Sequence, residues 1–246
     1  MVTPYVPYPP ASGGQIRTLN LLKYLSKRNY IVLVALYKKD SDKQYIPKLK
    51  QFSDEVYLCK RPEKPWQLKT ILKAIFSFRP FLIERNFSRE AKDTIEKLLQ
   101  EEKYDVIHTE TFYVMPHLPV TKTPIFLLEQ TIEFEVYKHF VDNLPFFVRP
   151  FLYLDIAKLK YWETYYWKRA SLMATVSESD RKTVTDMVPQ LEPVVIPNGA
   201  GEDMISETLE KKKLTRHELL FQGNFSWLQN VEAAEYLINS VYPLLK

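Results

Sequence analysis

Cysteine is nearly absent from this chain of 246 residues: Cys59 is the only one. That excludes a disulfide framework and any zinc or iron–sulfur centre built on several thiolates, and it fits a reduced, cytosolic compartment. Glycine is scarce too, with five residues where an average usage of about 7% would give roughly three times as many. They fall in three places, Gly13 and Gly14, Gly199 and Gly201, and Gly223. Each is expected where the backbone requires one. No apolar run reaches the ~18 residues of a membrane-spanning helix, and the N-terminus lacks a basic-then-apolar leader. Charge of one sign is not in excess: 34 Lys and Arg face 30 Asp and Glu, a formal net charge of +4. So mild a balance does not argue for nucleic acid. GxGxxG and GK[ST] do not occur, which removes the dinucleotide fingerprint and the P-loop. His108, His117, His139 and His217 are not spaced as ligands, and no metal is expected.

What is present is alternation. Short apolar runs at Met1–Thr3, Tyr30–Tyr37, Glu55–Leu58, Asp105–His108, Pro124–Leu128, Leu172–Val176, Val194–Ile196 and Leu219–Gln222 read as strands. Helical patterns at Gly14–Lys27, Ser41–Phe52, Trp66–Phe78, Arg89–Glu102 and Pro150–Arg169 lie between them. A run such as Ile31-Val32-Leu33-Val34-Ala35-Leu36 suits a strand buried on both faces, as in a parallel sheet covered by helices. The fold class is therefore α/β, a doubly wound, mainly parallel Rossmann-like sheet. The first run is short before Pro4, so a few residues are expected to precede Met1. Residues 205–218 are rich in Lys, Arg and Glu and read as a charged linker between a domain over 1–204 and a strand and helix over 219–246. One strand and one helix cannot bury a core, so this last piece is expected either to dock on the first domain or to open an incomplete second one.

Four stretches carry candidate chemistry. Pro7-Tyr8-Pro9-Pro10-Ala11-Ser12-Gly13-Gly14-Gln15 joins the first strand to a helix, with Ser12 as N-cap. The glycine pair there serves either a phosphate contact at a helix N-terminus or a tight capped turn. His108 ends a strand with Glu110 close behind, and is either a site residue or a satisfied structural histidine. Glu129 and Glu133 flank a strand-to-helix passage and either face the same cleft or, for Glu133, complement a helix dipole. Ser177 and Asp180 form a cap at a strand end, which also brings them near a cleft. Between Phe134 and Arg169, twelve of 36 residues are aromatic, with six Lys and Arg against four acids. That stretch is either a surface for membrane or a greasy acceptor, or a long helix wedged in the core with its Tyr and Trp polar ends at the surface.

Taken in order, these residues resemble one family. Pro7–Arg17 resembles the opening loop of GT-B glycosyltransferases of the GT4 type. Glu129-Gln130-Thr131-Ile132-Glu133 resembles their E-H-N-x-E segment, Ala174–Asp180 their x-x-V-S-x-x-D, and Val195-Ile196-Pro197-Asn198-Gly199 their I-P-N-G hinge entry. Phe221–Ala234 resembles the start of their C-terminal domain. The resemblance implies two Rossmann-like domains facing a cleft, with acceptor on the first and most of a nucleoside-diphosphate sugar on the second. It implies retaining transfer to a glycan or lipid-linked acceptor, with no metal and no cofactor. Gly13 and Gly14 would then sit by the donor phosphates, and Arg17, Glu133, Ser177, Asp180, Asn198 and Gly223 in substrate-binding segments. The family histidine falls at Gln130, which can hydrogen-bond a hydroxyl but cannot take a proton at neutral pH. Either the imidazole is dispensed with, or His108 or Glu129 substitutes. The family's donor Arg, Lys and Glu-x7-Glu residues are expected beyond Lys246, so the chain is expected to be an acceptor-side portion, nearly inactive alone. The expected setting is the cytoplasm, with peripheral contact at the inner face of the membrane. A non-catalytic Rossmann-like module for glycans or partners, and a sugar-nucleotide epimerase, are the competing readings.

Overall fold

The computed structural model describes residues 1–64, 66–199, 219–225 and 228–245. The chain divides into two compact units, Met1–Met204 and Ile205–Lys246.

In the first unit, seven strands form one sheet in the order β3-β2-β1-β4-β5-β6-β7. They are β1 Val2–Thr3, β2 Val32–Tyr37, β3 Glu55–Lys60, β4 Ile107–Glu110, β5 Ile125–Glu129, β6 Leu172–Thr175 and β7 Val194–Val195. Every pairing is parallel, as the doubly wound reading requires. β1 is two residues long because Pro4 has no N–H to extend the ladder. It is nonetheless central, with Val2 opposite both Val34 and Thr109. The direction of winding reverses between β1 and β4. In open α/β sheets such a reversal leaves a crevice at the carboxyl ends of the strands.

Helices cover both faces. α1 (Gly13–Leu25) packs Leu22 against Leu33 and Ala35 on one face. α5 (Arg89–Glu101) and α7 (Arg149–Trp167) pack Ala91, Ile95, Leu159 and Trp167 on the other, around Leu127 and Met173. Burying each of the Leu, Ile and Met side chains among these contributes roughly 1.5–3 kcal/mol. Ser12, Ser88 and Ser177 cap α1, α5 and α8 (Glu178–Met187) through their side-chain oxygens.

Local departures from the periodicity have identifiable causes. The helix expected over Ser41–Phe52 is a 3-10 turn, Asp40–Tyr45, followed by the short α2, Ile46–Leu49. Pro47, near the start of α2, cannot donate backward and so begins a new helix instead of continuing one. α3 is Leu68–Phe76. α4 (Phe81–Asn86) and the 3-10 turn Phe112–His117 have six residues each, too few for a helical period to show. α6 is Glu133–Asp142.

In the second unit the expected strand over Leu219–Gln222 is not formed: residues 219–224 have no regular structure, and no strand is described there to pair with them. A helix does follow, α9 at Leu228–Tyr236, running on through a π turn to Val241 and a 3-10 turn to Leu245. The charged linker and Gly201 lie outside the described residues.

Candidate active site at the winding reversal

The carboxyl ends of β1, β4 and β5 bring three side chains together. Tyr5 follows β1, Glu110 ends β4 and Gln130 follows β5. The Gln130 side-chain amide donates to Tyr5 Oη at 2.9 Å and to Glu110 Oε2. Tyr5 Oη is also 3.2 Å from Thr18 Oγ1 on α1. Burial, and then the Glu110 charge, push the Tyr5 phenol up to about 12, so it stays neutral and available as a hydrogen-bond donor.

Gly14 explains why α1 can start where it does. A Cβ there would lie 2.4 Å from Gln130 Oε1 and 2.6 Å from Tyr5 Oη. With any larger residue, Gln130 and Tyr5 would have to shift for the first turn of α1 to approach this cluster. Gly13 differs: a Cβ on it would meet nothing within 4 Å, and the same holds for Gly199. The expectation that scarce glycines each answer a steric demand is therefore met at Gly14 and corrected at these two. Ser12 Oγ accepts the Gln15 N–H, while the Gln15 amide returns to Val6 O at 2.9 Å and closes the loop on itself. The Gly13 and Gly14 N–H groups stand ahead of that bond, at the positive end of the helix.

Arg17, one turn into α1, is buried and ties this loop to the far side of the cleft. Its Nη1 donates to Pro197 O and to Asn198 Oδ1, both at 3.0 Å, across 180 residues of sequence. Behind Glu110 stands His108, whose Nε2 lies 3.1 Å from Glu110 Oε1. Glu110, Gln130 and Tyr5 thus form a hydrogen-bonded line, with His108 beside Glu110 but not hydrogen-bonded to it. Thr111, next to Glu110, holds φ 71°. A β-branched residue in that region is strained, and such strain concentrates at functional sites.

Other candidates are placed differently. Glu129 points to the opposite face of the sheet from Gln130. Its Oε1 accepts the Trp167 indole N–H at 3.0 Å, and it is fully buried. Burial and the Glu163 charge raise its carboxyl well above the ordinary range. Glu133 is near enough that its charge raises the Glu129 carboxyl as well. The pleat alternates, so Glu129 and Gln130 leave β5 on opposite sides. Glu133 opens α6, with Glu163 of α7 accepting the Glu133 and Phe134 N–H groups at 2.8 and 3.0 Å. Burial pushes the Glu133 carboxyl up to about 7. Ser177 and Asp180 occupy each other: Ser177 Oγ donates to Asp180 Oδ2 at 2.7 Å and accepts its N–H at 3.1 Å. Gly223 lies in the second unit, beside Asn230. His117 is structural, with Nδ1 bonded to Val114 O and Nε2 accepting the Ser88 N–H. Among the described residues no group of three His, Cys, Asp or Glu side chains is gathered to hold a metal ion.

Tyr5, Thr18 and Glu163 escaped the sequence reading. Tyr5 had a usable signal, since it is the first side chain after a strand that Pro4 stops. Glu163 had none, because its partners lie about 30 residues away on another helix.

A search of curated proteins finds no match to the chain. The family profile described as Glycosyltransferase Family 4 matches residues 11–202, from the loop before Gly13 past Asn198, and so includes Gln130. The chain belongs to that glycosyltransferase family.

Proposed function

We propose that residues 1–204 form the acceptor-side half of a retaining GT-B glycosyltransferase, which moves a sugar from a nucleoside diphosphate to a glycan or lipid-linked acceptor. The observation that carries this reading is the close approach of Gly14 to Gln130 and Tyr5 at the winding reversal. It sets the positive end of α1 directly over a polar cluster. A departing diphosphate gains negative charge, and a preorganised helix N-terminus with backbone N–H groups stabilises charge that develops there. Gln130 and Tyr5 would orient a sugar hydroxyl. Gln130 supplies no proton acceptor, so rate acceleration would come from leaving-group stabilisation and positioning rather than from an imidazole base. Asn198, held by Arg17, would stand at the edge of the crevice at the carboxyl ends of the strands. The test, run on a two-domain protein that supplies the donor-side half, is release of nucleoside diphosphate from a panel of sugar nucleotides in the presence of a total lipid and glycan extract. The reading requires release that depends on acceptor. Consumption of the sugar nucleotide without acceptor would favour an epimerase, and no consumption would favour a binding module.

A lipid-linked acceptor is favoured by one surface. α3 turns Leu68, Leu72, Ile75 and Phe76 outward, and Phe76 is 85% exposed. Phe146, Phe147, Phe151 and Leu154, at and before the start of α7, are exposed as well. The two groups adjoin, since Lys158, one turn beyond Leu154, donates to Ala74 O and Ser77 O at the end of α3 at 2.9 and 2.8 Å. The aromatic stretch therefore divides: Tyr166 and Trp167 are buried in the core, while the first turns of α7 face out. Residues 64–83 contain Lys64, Lys69, Lys73 and Arg79 and no acid. No helix among the described residues is long and apolar enough to cross a membrane. An apolar face with a basic rim instead suits the surface of an anionic bilayer. The protein should float with phosphatidylglycerol-containing vesicles. The double change Phe76→Asp and Phe151→Asp should lower the bound fraction about tenfold or more, given ~25 cal/mol per Å2 for apolar area withdrawn from water. Unchanged flotation of that variant would remove the membrane from this account.

A further inference from the structure

A second polar cavity opens at the same end of the sheet, on the other side of β1. Its volume is about 130 Å3, and Lys38, Arg61, Arg85, Asn86 and Tyr113 line it, with Glu63 also present. The topology explains the gathering. Lys38 is the first residue after β2 and Arg61 the first after β3, so two neighbouring parallel strands deliver two cations side by side. Arg85 comes from α4 and Tyr113 from the turn after β4.

Arg61 is clamped in place. Its backbone N–H donates to Tyr37 O at 2.9 Å, and its Nη1 donates to Asn86 Oδ1. Asn86 is itself fixed, because its Nδ2 donates to Leu82 O at 2.8 Å. With those bonds made, Arg61 Nε is left buried without an acceptor. Buried donors are rarely left so, and each calls for a partner. None of the three cations is ion-paired among the described residues. Three carboxylates lie nearby without pairing to them: Asp42 accepts the Lys38 and Lys39 backbone N–H groups, Glu63 is exposed on the cavity lining, and Glu133 has its carboxyl lowered by the Arg85 charge against the effect of burial. Burial, and then the Arg61 and Arg85 charges, lower the Lys38 ammonium, while burial lowers the Arg61 guanidinium to about 10. The three like charges thus oppose one another, and among the described residues no carboxylate forms an ion pair with any of them.

We propose that this pocket binds the phosphate group of a phosphorylated acceptor. Two guanidinium forks and an ammonium match the oxygens of a phosphomonoester. The volume equals about four waters at ~30 Å3 each, room for one tetrahedral oxyanion and too little for a sugar ring with a nucleotide. Assignment of the phosphate to the acceptor rests on the transferase reading above; binding of the anion does not.

The test is thermal unfolding of the protein titrated with glycerol phosphate at constant ionic strength, with pyrophosphate and a nucleoside diphosphate as parallel arms. A ligand that binds the native state raises Tm saturably. Glycerol phosphate should do so for the wild type, and Lys38→Gln should weaken its binding about tenfold. Without phosphate, Lys38→Gln should melt no lower than the wild type, because it relieves repulsion. The exposed Lys122→Gln should bind as the wild type does. No saturable shift, or the same loss in Lys122→Gln, would overturn the site. Tighter binding of the nucleoside diphosphate, lost in Lys38→Gln, would overturn the acceptor assignment and give the pocket to the donor. Phosphate binding without any sugar transfer would leave the pocket standing and defeat the transferase reading, so the two fail separately.

Discussion

Gly14→Ala lowers sugar transfer by roughly a hundredfold or more, whereas Gly13→Ala, one residue away, leaves it unchanged. The added Cβ at position 14 would stand 2.4 Å from Gln130 Oε1 and 2.6 Å from Tyr5 Oη. Gln130 cannot simply swing aside, because its amide is held by Tyr5 and Glu110 together. Relief comes from displacing α1 or breaking those bonds, and either shifts the reacting groups by an ångström or more. Misplacement on that scale costs about a hundredfold in rate, and the overpacking costs about 1–3 kcal/mol in stability. At position 13 a Cβ meets nothing within 4 Å. Alanine there should stabilise by roughly 0.4–1 kcal/mol, since it restricts the unfolded chain and suits a helix. Urea unfolding beside the transfer assay separates the two effects. In the Gly14→Ala background, Gln130→Ala should restore stability without restoring transfer. Equal behaviour of the two alanine variants would show that the Gly14 approach is not a constraint.

Between pH 6.5 and 8.5, Glu129→Gln should lose less stability, or gain more, with rising pH than the wild type does. Glu129 and Glu163 are both fully buried, and burial raises both carboxyls well above 4.5. Glu133 is raised by burial to about 7. In the unfolded chain each ionises near 4.3. Above that pH the native state therefore holds more protons than the unfolded state, and stability declines until the folded values are passed. The slope is at most ~1.4 kcal/mol per pH unit for each extra proton held. His117 works in the opposite sense. Burial lowers it to about 4, so its contribution is lost as pH falls below 6.5 and is constant above. The Met1 ammonium, lowered by burial to about 5, opposes the glutamates up to about pH 8, so it is the difference between the wild type and Glu129→Gln that isolates Glu129. Gln at position 129 keeps an oxygen for the Trp167 indole, which bonds Glu129 Oε1 at 3.0 Å, and removes the titration. An unaltered slope in that variant would mean that Glu129 is ionised in the native protein at these pH values.

Much of the fold was legible because strand composition and helix caps are local. The run Ile31–Leu36 announced a strand buried on both faces, and Ser12, Ser88 and Ser177 lie where the helices begin. The site was legible only in part. Gly14 and Gln130 were found, but their mutual contact spans more than a hundred residues, and no local pattern encodes it. That Glu129 and Gln130 leave β5 on opposite sides was not legible, because which side a residue leaves depends on register, which sequence adjacency hides. The strand expected at Leu219–Gln222 shows the same limit, since ladder bonds need a partner that composition cannot supply.

The account's central claim is that the Gln130 cluster at the winding reversal is where sugar transfer takes place. The most direct measurement, made on a two-domain protein that supplies the donor-side half, is acceptor-dependent release of nucleoside diphosphate by the wild type and by Gln130→Ala, with Tm recorded for both. The account predicts release by the wild type, roughly a hundredfold loss in Gln130→Ala, and Tm values within a few degrees of each other, since a partly exposed side chain leaves no buried cavity. Wild-type release by Gln130→Ala would contradict it.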